Sequence, residues 1–216
     1  MPALVVFDCF DTLVTSRPLP EPGDLARDLA AFLSLEPRTA GAVVESVYGA
    51  VLTAVRNPAA LQPATMELLD TALAARGERR AKADLERALW HAWGCADPGA
   101  YRLCEPMADA VARVTAAGHT ARLLSNCFLP GSLMAELLHR LRAPAVDRAL
   151  FTADGGPKKP DRRAYELIGA GEFDRRVMVG DSPQLDIVPA AALGWDTVLV
   201  DPRDPSPAPL LALLEL

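Results

Sequence analysis

The chain has 216 residues, half of them apolar, which is enough for one core or for a main domain with a sizeable insertion. Its formal net charge of -6 argues against a nucleic-acid partner, because phosphate backbones are bound by clustered Lys and Arg. No apolar stretch reaches the roughly 20 residues of a membrane helix, and the N-terminus lacks a signal-peptide pattern, so we expect a cytoplasmic protein with no membrane partner. The four cysteines lack zinc-site spacing, and the abundant Ala, Leu, Arg and Pro suggest a bacterial source.

Strands and helices are predicted to alternate along most of the chain. Short apolar runs that end in a polar residue predict strands at 3–8, 121–126, 176–181 and 196–201, with a further run at 148–153. Helical patterns fall between these strands at 106–119, 131–142, 161–171 and 183–194. This alternation is typical of an α/β fold with a doubly wound parallel sheet, which binds ligands at the carboxyl ends of its strands.

One segment, 17–103, breaks the alternation. It carries helical patterns at 23–34, 39–56, 63–77 and 80–93, separated by stretches rich in Pro and Gly, and it shows no convincing strand. We therefore predict an inserted all-α domain at 17–103 and a core domain made of residues 1–16 and 104–216. Because the insertion follows the first strand directly, it should hang over the site that this strand helps to build.

Polar side chains follow the predicted strands at the points where each strand ends. They are Asp8, Asp11 and Thr12, then Ser125 and Asn126, then Lys159, and then Asp181, Ser182 and Asp186. Each one alone is explained as a helix cap or a turn residue. Together, at one edge of a doubly wound sheet, carboxylates, an ammonium and hydroxyls form an environment suited to Mg²⁺ and phosphate.

The order of these groups resembles the four motifs of the haloacid dehalogenase superfamily, most of whose members are Mg²⁺-dependent phosphatases. The matching stretches are "FDCFDTL", "LLSN", "KKPD" and "VGDSPQLD". The resemblance implies a Rossmann-like core, and the position of the helical insertion matches the first kind of cap domain in this superfamily.

The resemblance also implies roles for individual residues. Thr12 lies four residues after Asp8, as in the family, and this register makes Asp8 the nucleophile. The implied catalytic residues are Asp8, Ser125, Lys159 and Asp186, and the implied Mg²⁺ ligands are Asp8, Asp181 and the carbonyl of Phe10. The candidate substrate contacts are Thr12, Asn126, Tyr165 and, from the insertion, Arg17 and His91. His91 is also explained as an interfacial helix residue between Trp90 and Trp93. Lys158 is an alternative to Lys159 as the catalytic lysine.

The first motif departs from the family at Phe10. The family usually has there an Asp that serves as general acid and base, while Asp11 occupies the place of a Gly. If the chain stays extended, Asp8, Phe10 and Thr12 share one side and Asp11 faces the other. A general acid/base contributes roughly 10²–10⁴-fold in rate, so a site without one should be slow or should take the group from elsewhere.

These residues favour a phosphatase that acts on a small phosphorylated metabolite through an aspartyl-phosphate, but they leave other functions open. An L-2-haloacid dehalogenase-like enzyme also accounts for Phe10, "LLSN" and Tyr165, and a phosphonatase-like enzyme tolerates the loss of the acid. Asp181 argues against the dehalogenase, because without a metal its carboxylate and that of Asp8 would repel each other. A binding protein that has lost turnover is the third alternative.

We expect a monomer or a homodimer. Cys9 and Cys127 follow site residues and are either a redox pair or buried reduced thiols.

Overall fold

A five-stranded parallel sheet forms the centre of the protein in the computed structural model, which describes residues 2–16 and 20–216. In chain order the strands are β1 (Leu4–Phe7), β2 (Val14–Ser16), β3 (Tyr101–Leu103), β4 (Thr120–Ser125), β5 (Arg148–Phe151), β6 (Arg176–Gly180) and β7 (Asp196–Leu199). The sheet has the order β5-β4-β1-β6-β7, with every neighbouring pair parallel. The predicted fold class, a doubly wound α/β sheet, is confirmed.

The central strand β1 is buried on both faces of the sheet. All four of its residues are inaccessible to solvent; Val5 and Phe7 pack into one hydrophobic cluster, while Leu4 and Val6 pack into another. A continuous apolar run is what a parallel strand covered on both faces requires. Because β4 and β6 flank β1, the carboxyl ends of these three strands meet at the switch point of the sheet, where such folds bind ligands.

Helices cover the sheet and build the insertion. They are α1 (Pro22–Leu33), α2 (Pro37–Arg56), α3 (Thr65–Ala74), α4 (Lys82–Ala92), α5 (Glu105–Ala116), α6 (Gly131–Arg140), α7 (Arg162–Ile168), α8 (Val188–Ala191) and α9 (Ala208–Leu214). Helices α1 to α4 correspond to the four helical patterns predicted within 17–103, and they pack against one another. Among the described residues, no helix is both long and apolar enough to cross a bilayer.

A two-stranded ribbon joins the helical insertion to the core. Strands β2 and β3 pair antiparallel, with Val14 opposite Leu103 and Ser16 opposite Tyr101. We expected no strand within 17–103, and β3 corrects this. Its three residues are too few to establish an alternating pattern in the sequence. The division at 17 and 103 stays a prediction.

The loop between α2 and α3, residues 57–64, makes a second contact with the core. Gln62 donates from Nε2 to the carbonyl of Cys127 at 2.8 Å and accepts from the Thr152 hydroxyl at 3.0 Å. Lys158 Nζ donates to three carbonyls of this loop, those of Asn57 (2.9 Å), Pro58 (3.3 Å) and Ala60 (2.7 Å). The insertion is therefore held to the core at the ribbon and also beside the third motif.

Two further elements differ from the predicted helices. Only residues 188–191 of the predicted helix 183–194 are α-helical, because Pro183–Ile187 forms a π-helical turn. Helix α9, which begins at Ala208, was not among the predicted helices.

Candidate active site

A buried ion-pair network lies where β1, β6 and the third motif meet. Asp8 directly follows β1, and its Oδ1 lies 2.7 Å from the Nζ of Lys159. The same Nζ lies 2.6 Å from Oδ1 of Asp186, and the Lys159 side chain is only 2% exposed. Lys159 therefore holds the nucleophile candidate and Asp186 together, while Lys158 points to the α2–α3 loop, and this settles which lysine belongs to the site.

The turn after β6 is shaped to present Asp186. The Ser182 side chain caps the π-helical turn by accepting from the amide of Leu185, and the Ser182 amide donates to Oδ2 of Asp186 at 3.0 Å. Gly180 allows the close approach, since a Cβ there would lie 2.4 Å from the Asp186 carboxyl carbon. Sequence reasoning gave Gly180 and Ser182 no individual role, although both stand in the quoted fourth motif.

Asn126 and Tyr165, two predicted substrate contacts, instead support the network. The Asn126 carboxamide pairs with the backbone of Lys159, donating to its carbonyl at 2.8 Å and accepting from its amide at 2.9 Å. Tyr165 is fully buried, and its hydroxyl donates to the carbonyl of Leu185 in the π-helical turn. The prediction of Tyr165 as a substrate contact is therefore corrected, because its ring packs beneath the sheet edge.

The site carries more negative charge than Lys159 neutralises. Burial alone would lower the pKa of Lys159, but the carboxylates of Asp8 and Asp186 outweigh it and raise that pKa, so the ammonium stays charged. Burial raises the pKa values of Asp8 and Asp186 even though Lys159 opposes this, and the pKa of Asp181 is raised by burial and then by the charge of Asp186. The one ammonium is thus paired with Asp8 and Asp186, and Asp181 adds a third carboxyl group beside them.

The same three carboxyl groups are suited to holding a cation. Asp8, Asp181 and Asp186 each offer an oxygen, and these oxygens all lie within 4.8 Å of one another. Hard oxygen ligands of this kind suit Mg²⁺. Both oxygens of Asp186 already accept hydrogen bonds, which leaves Asp8 and Asp181 as the better-placed ligands. The donor set therefore fits the predicted ion; the Phe10 carbonyl as third ligand stays a prediction.

Two buried hydroxyls at the site have no hydrogen-bond partner within the described parts of the chain. They belong to Ser125, at the end of β4, and to Thr12, and both residues are 1% exposed. A buried polar group left unsatisfied costs about 1–3 kcal/mol. Such a group calls for an explanation, and the oxygens of a bound phosphate would supply partners for these hydroxyls.

The first-motif loop turns instead of staying extended. The amides of Leu13 and Val14 both donate to the carbonyl of Cys9 at 2.8 Å, and Asp11 has a φ of 60°. This left-handed conformation explains why the family usually has Gly there, and Asp is among the residues that tolerate it. The expectation that Phe10 and Asp11 face opposite sides assumed an extended chain, and the turn removes that basis; both residues line the cavity described next.

Phe10 contributes its ring to a cavity beside the site, which we call the antechamber. The antechamber has a volume of about 230 Å³ and includes Trp93, Tyr101 and Phe128 in its walls. The rings of Phe10 and Tyr101 lie 6.3 Å apart, and the Tyr101 hydroxyl donates to the Trp93 carbonyl at 2.7 Å. The position of the family's general acid is thus apolar here.

His91 is not brought to this site. The His91 ring is exposed and stacks on Phe32 with 4.1 Å between centroids, whereas Trp93, two residues later, faces the antechamber. Residues two apart on a helix point in different directions. The prediction of His91 as a substrate contact is corrected, and its contact with Phe32 of α1 agrees with the alternative of an interfacial helix residue. Arg17 lies outside the described residues.

The four cysteines, all within the described residues, are free and buried. Burial raises the pKa of the Cys127 thiol to about 12 and raises that of Cys9 well above its usual range, with the neighbouring Asp8 and Cys127 adding to the shift of Cys9. Low thiolate content favours the interpretation of Cys9 and Cys127 as buried reduced residues.

Comparison with known proteins supports the predicted family. Residues 157–204, which contain the third and fourth motifs, match a sequence family described as HAD-hydrolase-like. No protein of curated function has a sequence that matches the chain significantly.

Solved structures share the fold over almost the whole chain. YfnB from Bacillus subtilis, described as a HAD-hydrolase bound to magnesium, has a TM-score of 0.58 at 16% identity, covering 100% of this chain and 99% of that one. A HAD phosphatase from Thermococcus onnurineus has a TM-score of 0.59 at 16% identity, with 99% and 98% covered. The defluorinating L-2-haloacid dehalogenase Rha0230 has a TM-score of 0.52 at 18% identity, with 94% and 84% covered. The likeness is one of fold, and a phosphatase and a dehalogenase share it.

Proposed function

We propose that this member of the haloacid dehalogenase superfamily, a hydrolase by family, is a Mg²⁺-dependent phosphatase that acts on a small phosphorylated metabolite. The observation that carries the proposal is the arrangement of Asp181 with Asp8 and Asp186, whose carboxyl oxygens lie within 4.8 Å of one another. Lys159 pairs with two of these three carboxyl groups, and a bound cation would balance the remaining charge, whereas a dehalogenase has no use for one. The unpartnered hydroxyl of Ser125 adds a place for a phosphate oxygen.

The residues divide the reaction between them. A carboxylate oxygen of Asp8 attacks phosphorus, the bond from phosphorus to the ester oxygen breaks, and water later releases inorganic phosphate from the aspartyl-phosphate. Lys159 neutralises charge on the transferred group, Ser125 and Thr12 donate to its oxygens, and Asp186 holds Lys159 in place. Mg²⁺ bound by Asp8 and Asp181 would supply electrostatic stabilisation of the phosphoryl oxygens.

The helical insertion serves as a cap over this site. Trp93, directly after α4, and Tyr101, in β3, both line the antechamber next to Phe10. Organic groups of a substrate would therefore leave the site toward these rings, so the cap would set specificity.

The dehalogenase remains the second candidate because of Phe10. An aromatic side chain at this position has no proton to donate, and a halide leaving group needs none. The antechamber beside it is lined largely by aromatic and aliphatic groups. A binding protein without turnover is the third candidate. The ion pair between Lys159 and Asp186 argues against it, because a protein without turnover would not need this pair.

A pair of assays on the purified protein separates the three candidates. We expect hydrolysis of an aryl phosphate that depends on Mg²⁺, stops in excess chelator and is abolished in Asp8→Asn, since an amide is not a nucleophile. Chloride release from an L-2-haloacid with full activity in chelator would instead establish the dehalogenase. Failure of both reactions in folded protein would favour the binding protein.

A further inference from the structure

The helical insertion contains a second cavity that the proposed reaction does not use. This cavity, which we call the helical cavity, has a volume of about 160 Å³ and lies among α1, α2, α3 and α4. Its walls are almost entirely aliphatic and aromatic, with Leu29, Val44, Leu69 and Ala92 among them. Apolar cavities of this size, about 150 Å³, stay dry when empty and bind molecules such as benzene.

Two stacked rings form the boundary between the helical cavity and the antechamber. Trp93 and Phe128 line both cavities, and their rings are stacked with 5.6 Å between centroids and 16° between planes. The antechamber in turn adjoins the site through Phe10 and Asn126. The two cavities therefore share a wall, and a molecule with its phosphate at Asp8 would reach the helical cavity by separating the Trp93 and Phe128 rings.

One polar atom in the helical cavity is unaccounted for. Thr65 lines the cavity and is 4% exposed, and in the part of the chain that the structure describes its hydroxyl has no hydrogen-bond partner. The other hydroxyl in the lining, that of Tyr48, lies 3.4 Å from the carbonyl of Pro20. A hydroxyl left unpartnered among aliphatic walls indicates a polar atom on the group that occupies this space.

We propose that the helical cavity holds the apolar end of the substrate, which is a phosphate monoester with a lipophilic organic group. The end group has about six carbons and carries one polar atom that pairs with Thr65. This inference rests on the proposed phosphatase function for the phosphate end of the substrate. Sugar phosphates do not fit, because hydroxyls transferred into such walls would lose their hydrogen bonds to water without replacement.

Binding of two homologous series tests the proposal without turnover. We would titrate n-alkylphosphonates with two to eight carbons, in the presence of Mg²⁺, and the matching n-alcohols, by calorimetry. In the alcohol series each methylene should tighten binding about fourfold, up to about six carbons. In the phosphonate series the dependence should reach the helical cavity only in chains long enough to cross the antechamber. Ala92→Leu and Val51→Phe, which fill the cavity, should abolish this dependence on length, and Ala31→Leu, at an exposed position of α1, should preserve it.

The outcomes separate this proposal from the proposed function. If the alcohols show no dependence on length, or if the dependence survives both filling variants, the helical cavity does not bind the substrate and the inference is overturned. If the alcohols bind as expected but ethylphosphonate does not bind with Mg²⁺, the phosphatase proposal is the one that fails. Thr65→Val should weaken binding of the n-alcohols, whose hydroxyl can pair with Thr65, and should leave the alkylphosphonates, which have no polar atom at the apolar end, unchanged. An unchanged alcohol series would contradict the role assigned to Thr65.

Discussion

Two adjacent lysines with different partners offer a direct test of the site assignment. The Lys159 side chain is 2% exposed and contacts two carboxylates, while the neighbouring Lys158 is 3% exposed and contacts only backbone carbonyls. Replacing Lys159 by Met leaves Asp8 and Asp186 buried without their counter-charge. Breaking a buried ion pair from one side costs about 3–5 kcal/mol, which is roughly a 10²–10⁴-fold change in the folding equilibrium.

The same change should also remove most of the catalysis. Loss of one group that stabilises the charge of the transition state lowers kcat by about 10²–10³-fold. Lys158→Met is the matched control, because it removes an ammonium from the next position, where the residue as a whole has the same exposed fraction as Lys159, 3%. We expect it to lower the free energy of unfolding by about 1–3 kcal/mol through the loss of its hydrogen bonds, and to leave kcat close to that of the wild type.

Urea unfolding in chelator and steady-state kinetics with Mg²⁺ measure the two effects separately. The unfolding midpoint should fall further for Lys159→Met than for Lys158→Met, with an unchanged dependence on urea concentration. The reasoning is refuted if Lys159→Met unfolds at the wild-type midpoint, or if Lys158→Met loses as much kcat as Lys159→Met.

Three further predictions follow from the site. Mg²⁺ at about 100 times its dissociation constant should raise the free energy of unfolding by about 2.7 kcal/mol in wild type but not in Asp181→Asn, and an equal gain in that variant would contradict the ligand assignment. Phe10→Asp should raise kcat/KM for alkyl phosphates by up to ~10²–10⁴-fold and much less for aryl phosphates; a fall in both for folded protein would show that another group supplies the proton. At pH 8 iodoacetamide should alkylate Cys9 and Cys127 only after unfolding, since burial raises the pKa of Cys127 to about 12, and rapid native labelling seen by mass spectrometry would exclude this interpretation.

The sheet was predictable because its strands are long apolar runs. Strand β1 and its partners carry continuous β-branched or aliphatic residues that end at a polar residue, and this signal does not depend on tertiary context. The ribbon strands β2 and β3 have three residues each and carry no comparable pattern. The convergence of Asp8, Lys159 and Asp186 follows from the strand order, and the sequence motifs were sufficient to predict it.

Side-chain direction and local turns were not predictable in the same way. The turn after Cys9 depends on hydrogen bonds to one carbonyl, which no residue type in the loop requires, so the extended chain that we assumed for Asp11 was wrong. The spacing between Lys159 and Tyr165 matches that in the family, yet the Tyr165 hydroxyl donates a hydrogen bond to the Leu185 carbonyl. Thr65 lies within an ordinary helical pattern. Only the packing of the four helices shows that its hydroxyl has no hydrogen-bond partner among the described residues.

The central position of β1 has a consequence for synthesis of the protein. Leu4 pairs with Thr120 on one side and with Arg176 on the other, so the first strand to be made has no partner until most of the chain has been translated. At about 5–20 residues per second, this delay is on the order of ten seconds. During that time an apolar segment with strong β-propensity is exposed, and the helices of the insertion, whose contacts are local, can form before the sheet does. A chaperone that binds nascent chains would therefore be expected to protect residues 3–7 until strand β6 arrives.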